Sequence, residues 1–119
     1  MENGNPKKYD LEDRTLKFAK NVRVFVSNLP KTVSNFEDGK RLVRSSGSVG
    51  ANYIEANEAL GQKDFLMRIK ISRKEAKESR YWLKLISVVD NTLDQIRLGL
   101  LQESTELMMI FSAIMRKQK

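Results

Sequence analysis

The side chains able to do chemistry in this sequence are cations and carboxylates, and thirteen of them lie between positions 55 and 84. Glu55, Glu75 and Glu78 could offer oxygens to a metal inside a helical bundle. Carboxylate metal centres of that architecture also need a Glu followed three residues later by a His on two helices, and the chain has no His and no Cys. The same absence removes the commonest neutral-pH acid/base, the thiolate nucleophile and every Ser-His or Cys-His pair. Carboxylates, Lys and Tyr remain, in no recognisable catalytic motif. The expectation is therefore a protein that is not an enzyme and needs no metal or cofactor. A different role suits Asn52, Glu55, Glu75 and Glu78: a polar network between two helices, with Arg41, Arg44 or Arg80 as partners, stable in an interior only when fully paired.

The cations form a pattern of their own. Of the formal net charge of +7, a surplus of four falls in residues 61–90, which hold eight Lys and Arg against four acids, whereas residues 31–60 balance at four and four. Lys70, Arg73, Lys77, Arg80 and Lys84 recur at intervals of three and four, a line about 20 Å long at 1.5 Å rise per helical residue. A nucleic-acid duplex presents one phosphate charge roughly every 1.7 Å, so such a line could neutralise several phosphates and release their counterions. RNA or DNA, gripped by its backbone, is the partner this predicts. The competing reading is a solvated helical flank in which Glu75 and Glu78 pair locally with Lys74, Lys77 or Arg80. No aromatic residues alternate with the stripe, so stacking of unpaired bases is poorly supported.

These residues need helices to align them, and the sequence supplies four. With 119 residues the chain fits one hydrophobic core, and no proline follows Pro30, so long helices are permitted from there on. Leu11, Thr15, Phe18, Val22, Phe25 and Leu29 keep a 4, 3 spacing over a first helix at 10–29, which Pro30 ends. Residues 1–8 are expected to be a flexible start to the single domain at 9–119. Ser34 to Glu37 reads as a capping box opening a second helix at 35–60, with Leu42, Ser46, Val49, Tyr53, Ala56 and Leu60 as its core stripe. Ser45, Ser46, Gly47, Ser48, Gly50 and Ala51 put six small residues into seven positions at its centre. Glycines weaken helices, so a loop is the alternative there, but the apolar spacing runs through unbroken and small residues would admit a neighbouring backbone.

The third helix, at 63–89, carries Phe65, Ile69, Ser72, Ala76, Ser79, Leu83 and Ile86. A second stripe on it, Ile71, Glu75, Glu78, Trp82, Leu85 and Val89, gives an apolar surface wider than a free-standing bundle requires. That surface is either buried in the monomer or lies between subunits. Asp90, Asn91 and Thr92 are cap-forming residues before a fourth helix at 93–117, built on Leu93, Leu100, Leu107, Phe111 and Ile114. Gly99 could delay its start to about Leu101, and Met108 and Met115 read as packing rather than a binding surface. An all-α, antiparallel up-and-down four-helix bundle follows. The polar amino terminus and the lack of any membrane-length apolar run point to the cytoplasm.

The run LVRSSGSVGANYIEA, followed by KDFLMRIKISRKEAKESRYWLKLI and closed by ESTELMMIFSAIMRK, resembles the bacterial four-helix-bundle family that includes proteins encoded in intervening sequences of large-subunit ribosomal RNA. The likeness spans roughly residues 10–117. It implies a ring-shaped homo-oligomer, often a pentamer, with no enzymatic activity. A related branch, the accessory variability determinant of diversity-generating retroelements, implies nucleic acid and a reverse transcriptase as partners. The resemblance also marks Arg44, Asn52, Glu55, Glu75, Glu78 and Arg80 as structural or interface groups, and Trp82 belongs to its tyrosine-tryptophan core. Gly61 departs from the family's usual Ser cap, which bears on the local stability of the third helix. Two expectations therefore stand side by side: an oligomeric accessory protein that binds nucleic acid, and a protein-interaction scaffold that does not touch it.

Overall fold

In the computed structural model, which describes the backbone of residues 6–117 and the side chains of 11–117, four α-helices follow one another. They are α1 (Pro6–Ser27), α2 (Val33–Asn57), α3 (Gln62–Leu85) and α4 (Asn91–Lys117). The expected flexible start lies outside the described residues only as far as residue 5, because Pro6 already opens α1. Proline suits a first helical turn, where its missing N–H would have had no partner.

Pairs of residues in contact across neighbouring helices give the topology. On α1 and α2, Thr15 approaches Gly50 and Val26 approaches Gly39. Ser45 meets Ser79 and Asn52 meets Arg68 on α2 and α3, and Arg80 meets Thr105 while Arg73 meets Ser112 on α3 and α4. In each case the numbers rise on one helix as they fall on the other, so all consecutive helices are antiparallel. Each helix touches two neighbours, and α1 closes the cycle against α4. The bundle measures 45 × 31 × 19 Å.

All six positions of the α1 stripe are buried, as are Leu42, Val49, Tyr53 and Ala56 of α2, Ile69, Ala76 and Leu83 of α3, and Leu100, Leu107 and Phe111 of α4. Burial pushes the Tyr53 phenol above its ordinary pKa, and its ring lies 6.0 Å from that of Phe111. The small-residue segment is helical throughout. Its glycines face α1: a Cβ on Gly50 would stand 2.8 Å from the Thr15 hydroxyl oxygen, and one on Gly39 would stand 2.8 Å from a Val26 methyl. One of its serines, Ser45, faces α3. Ser45 and Ser79 share a hydrogen bond of 2.8 Å, and the Ser72 hydroxyl donates to the Val49 carbonyl at 2.9 Å. A side chain reaches a neighbouring helix's backbone like this only when the two axes lie close, which small residues permit.

Helix ends depart from the sequence expectation in four places. The cap of α2 is Thr32, not Ser34: its backbone is extended and its hydroxyl accepts from the Asn35 N–H at 3.1 Å. Asn35 also donates from Nδ2 to the Pro30 carbonyl at 3.0 Å, to which the Thr32 N–H donates as well, so the cap lies two residues earlier than read and is one-sided rather than a capping box. At the other end α2 stops at Asn57, and Leu60, expected in the core, is fully exposed. The α3 helix ends at Leu85 rather than 89, where β-branched Val88 and Val89 weaken helix formation. Arg97 then caps it by donating to the Leu83 carbonyl at 2.9 Å. Gly99 does not delay α4, because the Asp90 carboxylate accepts from the Leu93 N–H at 2.8 Å and starts the helix ahead of it.

Candidate nucleic-acid interface

The α3 helix presents different chemistry to each neighbour. Toward α2 it turns serines and the acidic cluster, and toward α4 it turns arginines. This division settles where the carboxylates go. Arg44 of α2 reaches both, with Nη2 at 3.8 Å from Glu75 and 3.5 Å from Glu78, and the Trp82 indole donates to Glu78 at 3.2 Å. Glu75 is buried, and its Oε1 finds no hydrogen-bond donor. Arg41 lies over the Trp82 ring at 5.5 Å.

Four residues of the expected polar network, Arg44, Glu75, Glu78 and Trp82, therefore do come together. The other two do not. Asn52 accepts from Arg68 at 3.1 Å lower on the same seam, and Glu55 is exposed on α2 outside the cluster. Arg80, offered as a partner for the carboxylates, points the opposite way. Of the second α3 stripe, Glu75, Glu78 and Trp82 meet α2 and Ile71 faces the α4 side, which leaves Leu85 and Val89 exposed, with Tyr81, beside a half-buried Trp82.

On the α4 side lies a groove of about 610 Å³. One wall carries Lys70, Arg73, Lys74 and Lys77, and Met67, Ile71 and Met108 form an apolar floor with Ser112 opposite. Arg80 and Lys84 continue the cationic wall along α3. Two of its members are tethered. Arg80 donates from Nε to the Thr105 hydroxyl at 3.0 Å, and that hydroxyl donates to the Leu101 carbonyl at 3.1 Å. Arg73 reaches the Ser112 hydroxyl at 3.4 Å. Lys70, Lys74, Lys77 and Lys84 are exposed.

No cation of this wall forms an ion pair among the described residues; those pairs belong to Arg14, Arg44 and Arg97. Local neutralisation by Glu75 and Glu78 is thus not what the structure shows. The α4 acids are engaged elsewhere too. Arg14 of α1 grips Glu103 through two hydrogen bonds of 2.8 Å and Glu106 through one of 2.7 Å. Asp94 accepts from Arg97 at 2.8 Å. Hydrogen bonding and charge from Glu103, reinforced by Glu106, hold the Arg14 guanidinium above its ordinary pKa.

The five-residue stripe read from the sequence is therefore on one flank, and Lys74 joins it. Sequence spacing missed Lys74 because it falls one position off the 4, 3 series. Its exposure beside Lys70 and Lys77, three and four residues away on the same helical arc, was the available signal.

Fold and surface together define an antiparallel four-helix bundle with an unneutralised cationic groove between its last two helices. The sequence model of the 23S rRNA-intervening sequence proteins matches residues 7–113, and the chain belongs to that family. Among solved structures, it is similar to a protein of unknown function from the S23 ribosomal protein family of Bacteroides thetaiotaomicron. The two share 29% identity and a TM-score of 0.70 over 87% of this chain and 96% of that one. No curated protein matches it. Among the described residues, no helix is long and apolar enough to cross a membrane.

Proposed function

We propose that the protein is a non-enzymatic accessory protein of the intervening-sequence type, which binds the sugar-phosphate backbone of nucleic acid through the α3–α4 groove. The observation that carries this reading is the set of six α3 cations that form no ion pair among the described residues, while Glu75, Glu78, Asp94, Glu103 and Glu106 lie against other arginines. RNA is favoured over DNA by the ribosomal names of the family and of its structural neighbour.

Six neutralised phosphates predict that log K falls against log salt with a slope near −5, about three decades of affinity between 50 and 200 mM salt. Fluorescence anisotropy on a labelled RNA checks this. Lys70→Glu with Lys77→Glu should weaken binding at least ten-fold and make the slope shallower by about one for each lysine. Binding indifferent to salt and to these changes overturns the proposal.

A second reading, a scaffold or accessory subunit that holds a protein such as a reverse transcriptase, or further copies of itself in a ring, is favoured by the exposed Tyr81 and Leu85. It places the contact on Tyr81 and Leu85 rather than on the cations, so replacing those two residues would disrupt it with all six cations still in place.

A further inference from the structure

We infer that the groove takes a double helix rather than a single strand, an inference that rests on the nucleic-acid reading above. Three observations support it. The first is spacing. From Lys70 to Lys84 the helix advances about 21 Å, and one strand of a duplex places a phosphate about every 3.4 Å along its axis. Each strand winds past a straight row rather than along it, so phosphates of both strands bordering a groove present charge over this length, and α3 meets them with six cations: Lys70, Arg73, Lys74, Lys77, Arg80 and Lys84.

The second is stiffness. The cations sit on one straight helix, and Arg73 and Arg80 are held by hydroxyls of α4, so the row is fixed before a ligand arrives. A duplex, with a persistence length of about 150 base pairs, is already straight over this distance. A single strand would have to be ordered along it.

The third is the lack of stacking surfaces. Proteins that order single strands recover the ordering entropy by stacking successive bases on aromatic rings. The groove is floored by Met67, Ile71 and Met108. Of the α3 aromatics, Phe65 packs against the core, and Trp82 lies under Arg41 on the α2 side. Tyr81 alone stands exposed near the lysines, and it is engaged edge-on with Trp82 at 4.9 Å. One ring does not make a platform for a strand. Beyond Leu107, the α4 sequence to Lys117 holds no acid, so the second strand meets no repulsion there.

The test measures anisotropy of the full-length protein with a 20-base-pair RNA duplex of arbitrary sequence, the same sequence as DNA, and each strand alone, all at one salt concentration. We expect each duplex to bind at least ten-fold more tightly than its own single strands. Tyr81→Ala should change duplex affinity less than two-fold. Single strands bound as tightly as the duplexes, or a five-fold or greater loss from Tyr81→Ala, would overturn the double-helix inference and leave the nucleic-acid function standing. Absence of binding to all four would overturn both.

Discussion

Two glycines three residues apart on α2 face the same helix and do different things. At Gly50 an added Cβ would meet the Thr15 hydroxyl oxygen at 2.8 Å and the Thr15 Cβ at 3.1 Å, both on a buried side chain. At Gly47 it would meet only the Nη2 of Arg23 at 3.2 Å, the far end of a flexible and exposed side chain. Gly50→Ala should therefore lose stability by about 1–3 kcal/mol through overpacking. Gly47→Ala should gain up to about 1 kcal/mol from helix propensity once Arg23 moves aside. Urea denaturation of both variants checks the pair, and equal signs would contradict the packing described. The sequence showed that small residues were needed in this segment. Which of them face α1 is a matter of helical phase, and it is legible only once the neighbouring axis is in place.

At the scale of elements, the joint between α1 and α4 is the least extensive in the bundle, and the Arg14, Glu103 and Glu106 cluster spans it. The Gln102 amide, followed by Arg14, holds the Glu106 carboxyl below its ordinary value of 4.5. A lowered folded-state pKa means that this contribution to stability is complete above about pH 4.5 and is lost as the pH falls through the folded value. Between pH 7 and pH 3 the urea midpoint of the native protein should fall further than that of Glu106→Gln, in which nothing titrates at that position. Parallel curves for the two proteins would sink the assignment. The core stripes of α1 to α3 were legible from 4, 3 periodicity almost residue for residue. Their ends were less so, because a cap is decided by one or two backbone angles: Thr32 and Ser34 are both good caps, and only the extended backbone at Thr32 selects between them. The cationic flank was legible as a line. Its freedom from acids was not, since Glu75 and Glu78 are as near to Lys77 and Arg80 in sequence as they are distant in effect, and Arg44 lies 31 residues or more from either.

For the whole molecule, the two surfaces of α3 separate two activities. The face toward α4 carries cations over an apolar floor of Met67, Ile71 and Met108, whereas Tyr81 and Leu85 beside Trp82 are apolar residues left exposed at the edge of the cation row. If copies associate there, as we propose, light scattering should give a multiple of the 13.7 kDa chain mass, and Tyr81→Ser with Leu85→Ser, which place no acid beside Lys77 and Lys84, should return it to the monomer without abolishing nucleic-acid binding at the groove. A monomer at every concentration would remove the ring. The antiparallel cycle of contacts also has a kinetic side. Every consecutive pair of helices is joined by a short connection, so α1 with α2, α2 with α3, and α3 with α4 can each form by closing a small loop, which favours fast folding. The α1–α4 joint alone must wait for the chain's two ends to meet. We expect its contacts to form after the barrier, so Arg14→Ala should raise the unfolding rate and leave the folding rate almost untouched, which stopped-flow unfolding and refolding in urea checks.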